Sequence, residues 1–105
     1  MQNIKFAPDL FKLVKEGRKT STVRNGVRNY TIGPVQFVTD PPDKNDRVRT
    51  MLRFITKVEL KTLKELTVED AMNEYYHNVE QLVARLKQIY PKINDDSEVT
   101  VVTFR

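Results

Sequence analysis

Cysteine is absent from the 105-residue chain, which excludes disulfide staples and thiolate metal sites. A cysteine-free chain suits a reducing compartment, so a cytoplasmic location is expected. Long apolar runs are also missing. The longest is Leu82-Val83-Ala84, too short for a signal-peptide core or a membrane span, so a soluble chain with no membrane partner is expected. His77 is the single histidine, and no ligand residues cluster at metal-binding spacing. Asp40, Asp43 and Asp46 are spaced by three, unlike the alternating ligands of a calcium loop. Neither a metal nor another cofactor is therefore expected. No internal repeat, low-complexity tract or long linker interrupts residues 1–105, which read as one domain, taken here as a monomer.

Charge is present but unevenly placed. Residues 1–30 hold seven Lys/Arg against two Asp/Glu, whereas residues 61–105 hold six against eight; the whole chain is +4. A basic first third suits an anionic partner, and nucleic acid is the commonest. A modest lysine surplus also occurs on ordinary solvated surfaces.

The apolar spacing yields an element order. Ile4 and Phe6 alternate as a short strand. Pro8 fits a first helical position, Leu10, Phe11, Leu13 and Val14 share a helical face, and Gly17 suits the terminus, so a helix is predicted near 8–16. Thr20 to Val23 favour a strand, Asn25-Gly26 and Gly33 favour turns, and Val35 with Phe37 makes the next strand. The 40–46 segment, with Pro41 and Pro42, must be a loop. Val48, Thr50, Leu52, Phe54, Thr56 and Val58 then alternate with Arg47, Arg49, Arg53 and Lys57, predicting a long strand with one apolar and one basic face. Thr67 with Asp70 resembles a capping box for a helix reaching Tyr75. Asn78 caps another, with Val79, Leu82, Val83, Leu86, Ile89 and Tyr90 on one face and Pro91 as its stop. Val99 to Phe104 form a last strand, apolar on both faces. This order implies an α+β fold: a curved mixed β-sheet forming a pseudo-barrel, with helices packed at one side. Leu10, Phe11, Val14, Leu52, Phe54, Leu82, Leu86 and Val101 are the expected interior.

One segment carries a resemblance. Glu16-Gly17-Arg18-Lys19-Thr20-Ser21-Thr22-Val23-Arg24, a helix end followed by a Thr-x-Thr-x-Arg strand, resembles the ASCH family, which has the PUA-like fold. The element order is similar along nearly the whole chain. The string is most similar to that of small bacterial amidohydrolases that remove the acetyl group of N4-acetylcytidine, and Leu66-Thr67, Ala71-x-x-Glu74 and Ile89-Tyr90-Pro91 look like their helical region. Gly33-Pro34 departs from the family's usual Gly-Asp, and the 40–46 loop has no counterpart. The resemblance implies a catalytic lysine, threonine and glutamate at Lys19, Thr22 and Glu74, with Glu69 as the alternative carboxylate. The implied partner is a modified nucleoside or RNA. A non-catalytic RNA-binding module and a ribonuclease are the other activities this fold allows.

Amide hydrolysis needs a nucleophile, a proton shuttle and a stabiliser for the oxyanion. Lysine serves as nucleophile only when deprotonated, and desolvation or neighbouring cations such as Arg18 and Arg24 promote that. Glu74 suits proton transfer. Thr22 suits hydrogen bonding to the carbonyl oxygen or positioning of the lysine. Arg18, Thr20, Arg24, Arg49 and Arg53 are the candidate substrate or nucleic-acid contacts. Strand alternation puts Thr20, Thr22 and Arg24 on one face and Lys19 on the other. Lys19 joins them only if it lies in a turn before the strand. Arg47, Arg49, Arg53 and Lys57 read either as a phosphate ridge or as the wet face of a strand. Tyr75 and Tyr76 either stack a base or close the core.

Overall fold

The computed structural model describes residues 1–40 and 49–105; the expected 40–46 loop, save Asp40, together with Arg47 and Val48, lies outside them. Five strands form one curled sheet in the order β1-β3-β4-β5-β2. The strands are β1 (Gln2–Lys5), β2 (Ser21–Asn25), β3 (Gly33–Val38), β4 (Thr50–Thr62) and β5 (Glu98–Phe104). β1 runs parallel to β3 and every other pair is antiparallel, which makes the sheet mixed. Among the described residues three α-helices lie alongside, α1 (Pro8–Lys15), α2 (Val68–Asn73) and α3 (Val79–Ile89), with a 3-10 turn at Leu63–Glu65. The expected α+β architecture is present.

Two apolar clusters flank β5. Phe11 and Val14 of α1 pack with Ile4, Phe6, Val35, Phe37, Ile55, Val102 and Phe104. Ala71 of α2 and Leu82 and Leu86 of α3 pack with Val23, Leu63, Val99 and Val101. β5 therefore gives Val102 and Phe104 to one cluster and Val99 and Val101 to the other, as a strand buried on both faces does. The rings of Phe6, Phe37 and Phe104 meet edge to face, with centroids 4.7 to 6.4 Å apart, a geometry that the ring quadrupoles favour.

The caps match their sequence signals. Thr67 accepts a hydrogen bond from the Asp70 N–H while Asp70 accepts from the Thr67 N–H, a full capping box. The Asn78 side chain accepts from the Gln81 N–H at 2.9 Å. Pro34 sits just beyond the stretch of β3 that pairs with β1, which begins at Val35, so its missing N–H leaves that ladder intact.

β4 differs from expectation. Leu52 is 70% exposed and Phe54 37%, whereas Ile55 is fully buried. Leu10 is only partly buried, and Ile89 is 48% exposed. The cause on β4 is register. Met51, Arg53 and Ile55 stand opposite Phe37, Val35 and Gly33, so they share the buried face of β3. Leu52 and Phe54 stand opposite Gln36 and Pro34 on the other face. A slip of one residue exchanges the two faces of a strand. The basic ridge is broken for the same reason. Arg53 turns inward, an irregularity between Ile55 and Lys57 shifts the register, and Lys57 pairs with Glu59 at 3.1 Å.

Candidate functional site

The site begins where α1 ends. Gly17 adopts φ +76°, a left-handed conformation that costs glycine little. The Arg18 and Lys19 N–H groups then donate back to the Leu13 carbonyl at 2.9 and 3.2 Å. The chain folds under its own helix, Thr20 donates its N–H to the Asn73 carbonyl at 2.8 Å, and β2 starts only at Ser21. Lys19 therefore lies in the turn, outside strand alternation, and its side chain points inward with 3% exposure.

Inside, the Lys19 ammonium group meets Glu74 Oε1 at 2.9 Å. Glu74 is the residue that closes α2, and it too is buried. The same Oε1 accepts the Val23 N–H at 2.6 Å. Among the described residues nothing bonds Oε2. Burial pushes the Lys19 pKa below the ordinary lysine value, the attraction of Glu74 opposes that shift, and Arg24 adds to it. Glu69, the alternative carboxylate, is exposed on α2.

Thr22 and Arg24 share one face of β2. Arg24 donates through Nε to Thr22 Oγ1 at 3.2 Å and through its fork to the Lys5 carbonyl at 2.8 Å. Its guanidinium lies 5.0 Å from the centre of the Phe6 ring, within cation–π range. With two of its donors occupied, Arg24 is a fixed wall that polarises the Thr22 hydroxyl. Lys19, Thr22, Arg24 and Glu74 all line one cavity of about 260 Å³, near the lower end of the range for small-molecule sites.

Other candidates lie elsewhere. Arg18 is exposed; it pairs with Glu16 at 3.2 Å and reaches the Tyr75 hydroxyl at 3.4 Å. Thr20 faces the end of α2 through the Asn73 carbonyl. Arg53 borders a separate cleft of about 70 Å³ with Lys19, Thr20 and Phe104, and its fork lies 3.4 Å from the Met51 sulfur. Arg49 is exposed just before β4. Neither Arg49 nor Arg53 borders the main cavity.

Sequence reasoning missed Lys5, Phe6, Arg85 and Tyr90 as cavity walls, whereas it raised Tyr76 as either a base-stacking or a core residue. One signal was available for Arg85: it falls three residues after Leu82 and four before Ile89, a cation on the apolar stripe of α3. Tyr76 both packs against the second cluster and faces the cavity. Among the described residues, no three His, Asp or Glu side chains gather as metal ligands. No helix there is long and apolar enough to cross a membrane.

The curled mixed sheet and the order of its helices are those of the ASCH, PUA-like fold. The chain is similar to an ASCH domain of Lactobacillus crispatus JV V101, with a TM-score of 0.76 at 12% identity over 99% of this chain and 77% of that one. It is also similar to a serine-to-alanine variant of ZmASCH from Zymomonas mobilis, with a TM-score of 0.68 at 12% identity over 98% and 66% of the two chains. A DUF984 protein of Enterococcus faecalis V583 gives a TM-score of 0.64 at 19% identity over 92% and 69%. The chain matches no protein-family model and no curated protein. The likeness is thus one of fold.

Proposed function

We propose that this chain hydrolyses an N-acylated nucleoside, N4-acetylcytidine, to cytidine and acetate. The observation that carries the reading is the buried Lys19–Glu74 contact at 2.9 Å on the wall of a cavity that Thr22 also lines. A buried lysine whose pKa is pushed down, aimed at a carboxylate inside a cleft, is an arrangement suited to a general base.

The chemistry runs through water. Attack by Lys19 itself makes an acetyl-lysine amide, which is harder to hydrolyse than the acetylated aromatic amine it replaces. Lys19 therefore acts better as a base than as the nucleophile. Its neutral amine takes a proton from water as the oxygen attacks the acetyl carbon, and Glu74 stabilises the ammonium formed. The Thr22 hydroxyl, polarised by Arg24, donates to the developing oxyanion. The carbon–nitrogen bond then breaks, the Lys19 ammonium returns its proton to the departing N4, and the acetic acid ionises. Each atom of water is accounted for: its oxygen in acetate, one proton on the N4 of cytidine and the other released to solvent.

A second reading has its own support. Glu74 Oε1 also fixes the Val23 N–H, so the pair ties α2 to β2 and suits a rigid RNA-binding module without turnover. Incubation with N4-acetylcytidine, followed by chromatography for cytidine, separates the two. Catalytic release of cytidine is expected. No release from the nucleoside or its close analogues overturns the hydrolase reading and leaves the module.

A further inference from the structure

Tyr75 is the only non-glycine residue with a positive φ, +70°, among the described residues. It stands one position past the Glu74 terminus of α2. Its N–H donates to the Met72 carbonyl and the Tyr76 N–H donates to the Ala71 carbonyl, both at 2.9 Å. This pair of bonds closes a helix through a left-handed residue, a position where glycine is the inexpensive choice. A tyrosine there carries a backbone cost that glycine does not. Burial does not offset it, because the side chain is half exposed. The strain sits directly beside Glu74, where strained backbone is often part of a site.

The ring has a place to act. Met72, Tyr75, Tyr76 and His77 line a second cavity of about 350 Å³. Tyr76 borders this cavity and the Lys19–Glu74 cavity alike, so the two adjoin across its ring. Cations flank the junction. Arg18 reaches the Tyr75 hydroxyl at 3.4 Å, and Arg85 lines the main cavity beside Tyr76. Flat exposed rings beside guanidinium groups are how proteins hold the splayed bases of single-stranded RNA.

We infer that the Tyr75 cavity is a stacking subsite for a nucleobase next to the target nucleotide, so that the modified nucleoside is also taken as a residue within a single strand. This inference rests on the reading of the main cavity as a modified-nucleoside site. Tyr75 is held in its left-handed turn so that its ring forms a platform outside the core. Arg18 orients the phenol edge, and the strand's phosphate meets the cations at the junction.

The test uses fluorescein-labelled RNA trinucleotides with N4-acetylcytidine in the centre, flanked either by adenosines or by abasic residues. Dissociation constants are read by fluorescence anisotropy for wild type, Tyr75→Ala and Tyr75→Phe, each checked for folding by circular dichroism. Wild type should prefer the base-bearing strand by about tenfold. Tyr75→Phe should keep most of that ratio, and Tyr75→Ala should bring it close to one. Equal binding of the two strands by wild type overturns the inference, as does a ratio that survives Tyr75→Ala. Absence of strand binding overturns it too. Failure of the hydrolase reading is seen separately, because cytidine release from the free nucleoside does not depend on this ratio.

Discussion

Lys19 lies two residues before β2, and that offset frees its side chain from the alternation that governs Thr22 and Arg24. The sequence string names Lys19 and Thr22, which the fold brings to one cavity, but strand geometry alone sends Lys19 away from the cleft. Only the Gly17 turn, with its φ of +76°, brings it back. At this scale the proton matters most. Burial lowers the Lys19 pKa, and Glu74 partly raises it again. Between the folded and unfolded values the unfolded chain binds more protons, so this site's contribution to stability rises with pH through the folded pKa. Lys19→Arg is predicted to abolish N4-acetylcytidine turnover, because a guanidinium stays protonated at any ordinary pH. Its circular dichroism spectrum should still report the native fold. Retained turnover in that variant sinks the role given to Lys19. The choice between Glu74 and Glu69 was open in the sequence because both carboxylates lie on or beside one helix. In the fold Glu74 is buried against Lys19 and Glu69 is exposed.

β4 is the element where pattern reading misled. Apolar residues occupy both phases of its first half, Met51 and Ile55 in one and Leu52 and Phe54 in the other. Period-two counting cannot rank them, and Arg53 on the buried phase argues for the wrong one. The deciding information is non-local: β3 presents Val35 and Phe37 inward, and pairing carries that choice across. A pair of variants checks it by denaturant unfolding. Ile55→Ala should cost about 2–5 kcal/mol through the cavity it leaves, whereas Leu52→Thr should stay within about 0.5 kcal/mol. The reverse order would mean the register is wrong. Helix ends, by contrast, were legible because their signals are local. Asn78 does cap α3, and Asn78→Ala should lower stability by about 0.5–2 kcal/mol.

Across the whole molecule, α2 is held by two charged contacts, Glu74 with Lys19 in the turn before β2 and Asp70 with Lys61 of β4 at 2.8 Å. Burial opposes ionisation of Asp70, but Lys61 and Thr67 together hold its pKa below the ordinary aspartate value. Its stabilising contribution is therefore full above the unfolded aspartate pKa and is lost as pH falls through the folded one. Thermal melts should show Asp70→Asn less stable than wild type near neutrality, with the gap closing in acid. A constant gap would remove charge as the cause. The element order and the basic first third were legible in the sequence because they are summed over many residues. The walls from α3 were not, since they depend on how a helix is seated. The central claim is that Lys19 works as a neutral base tuned by Glu74. It is tested most directly by kcat/KM for N4-acetylcytidine against pH in wild type and Glu74→Gln. Wild type should rise along an acid limb whose midpoint lies below the ordinary lysine pKa. Glu74→Gln should be slower, with that midpoint moved to lower pH because the opposing charge is gone. A profile without the limb, or a midpoint unmoved by Glu74→Gln, would contradict the account.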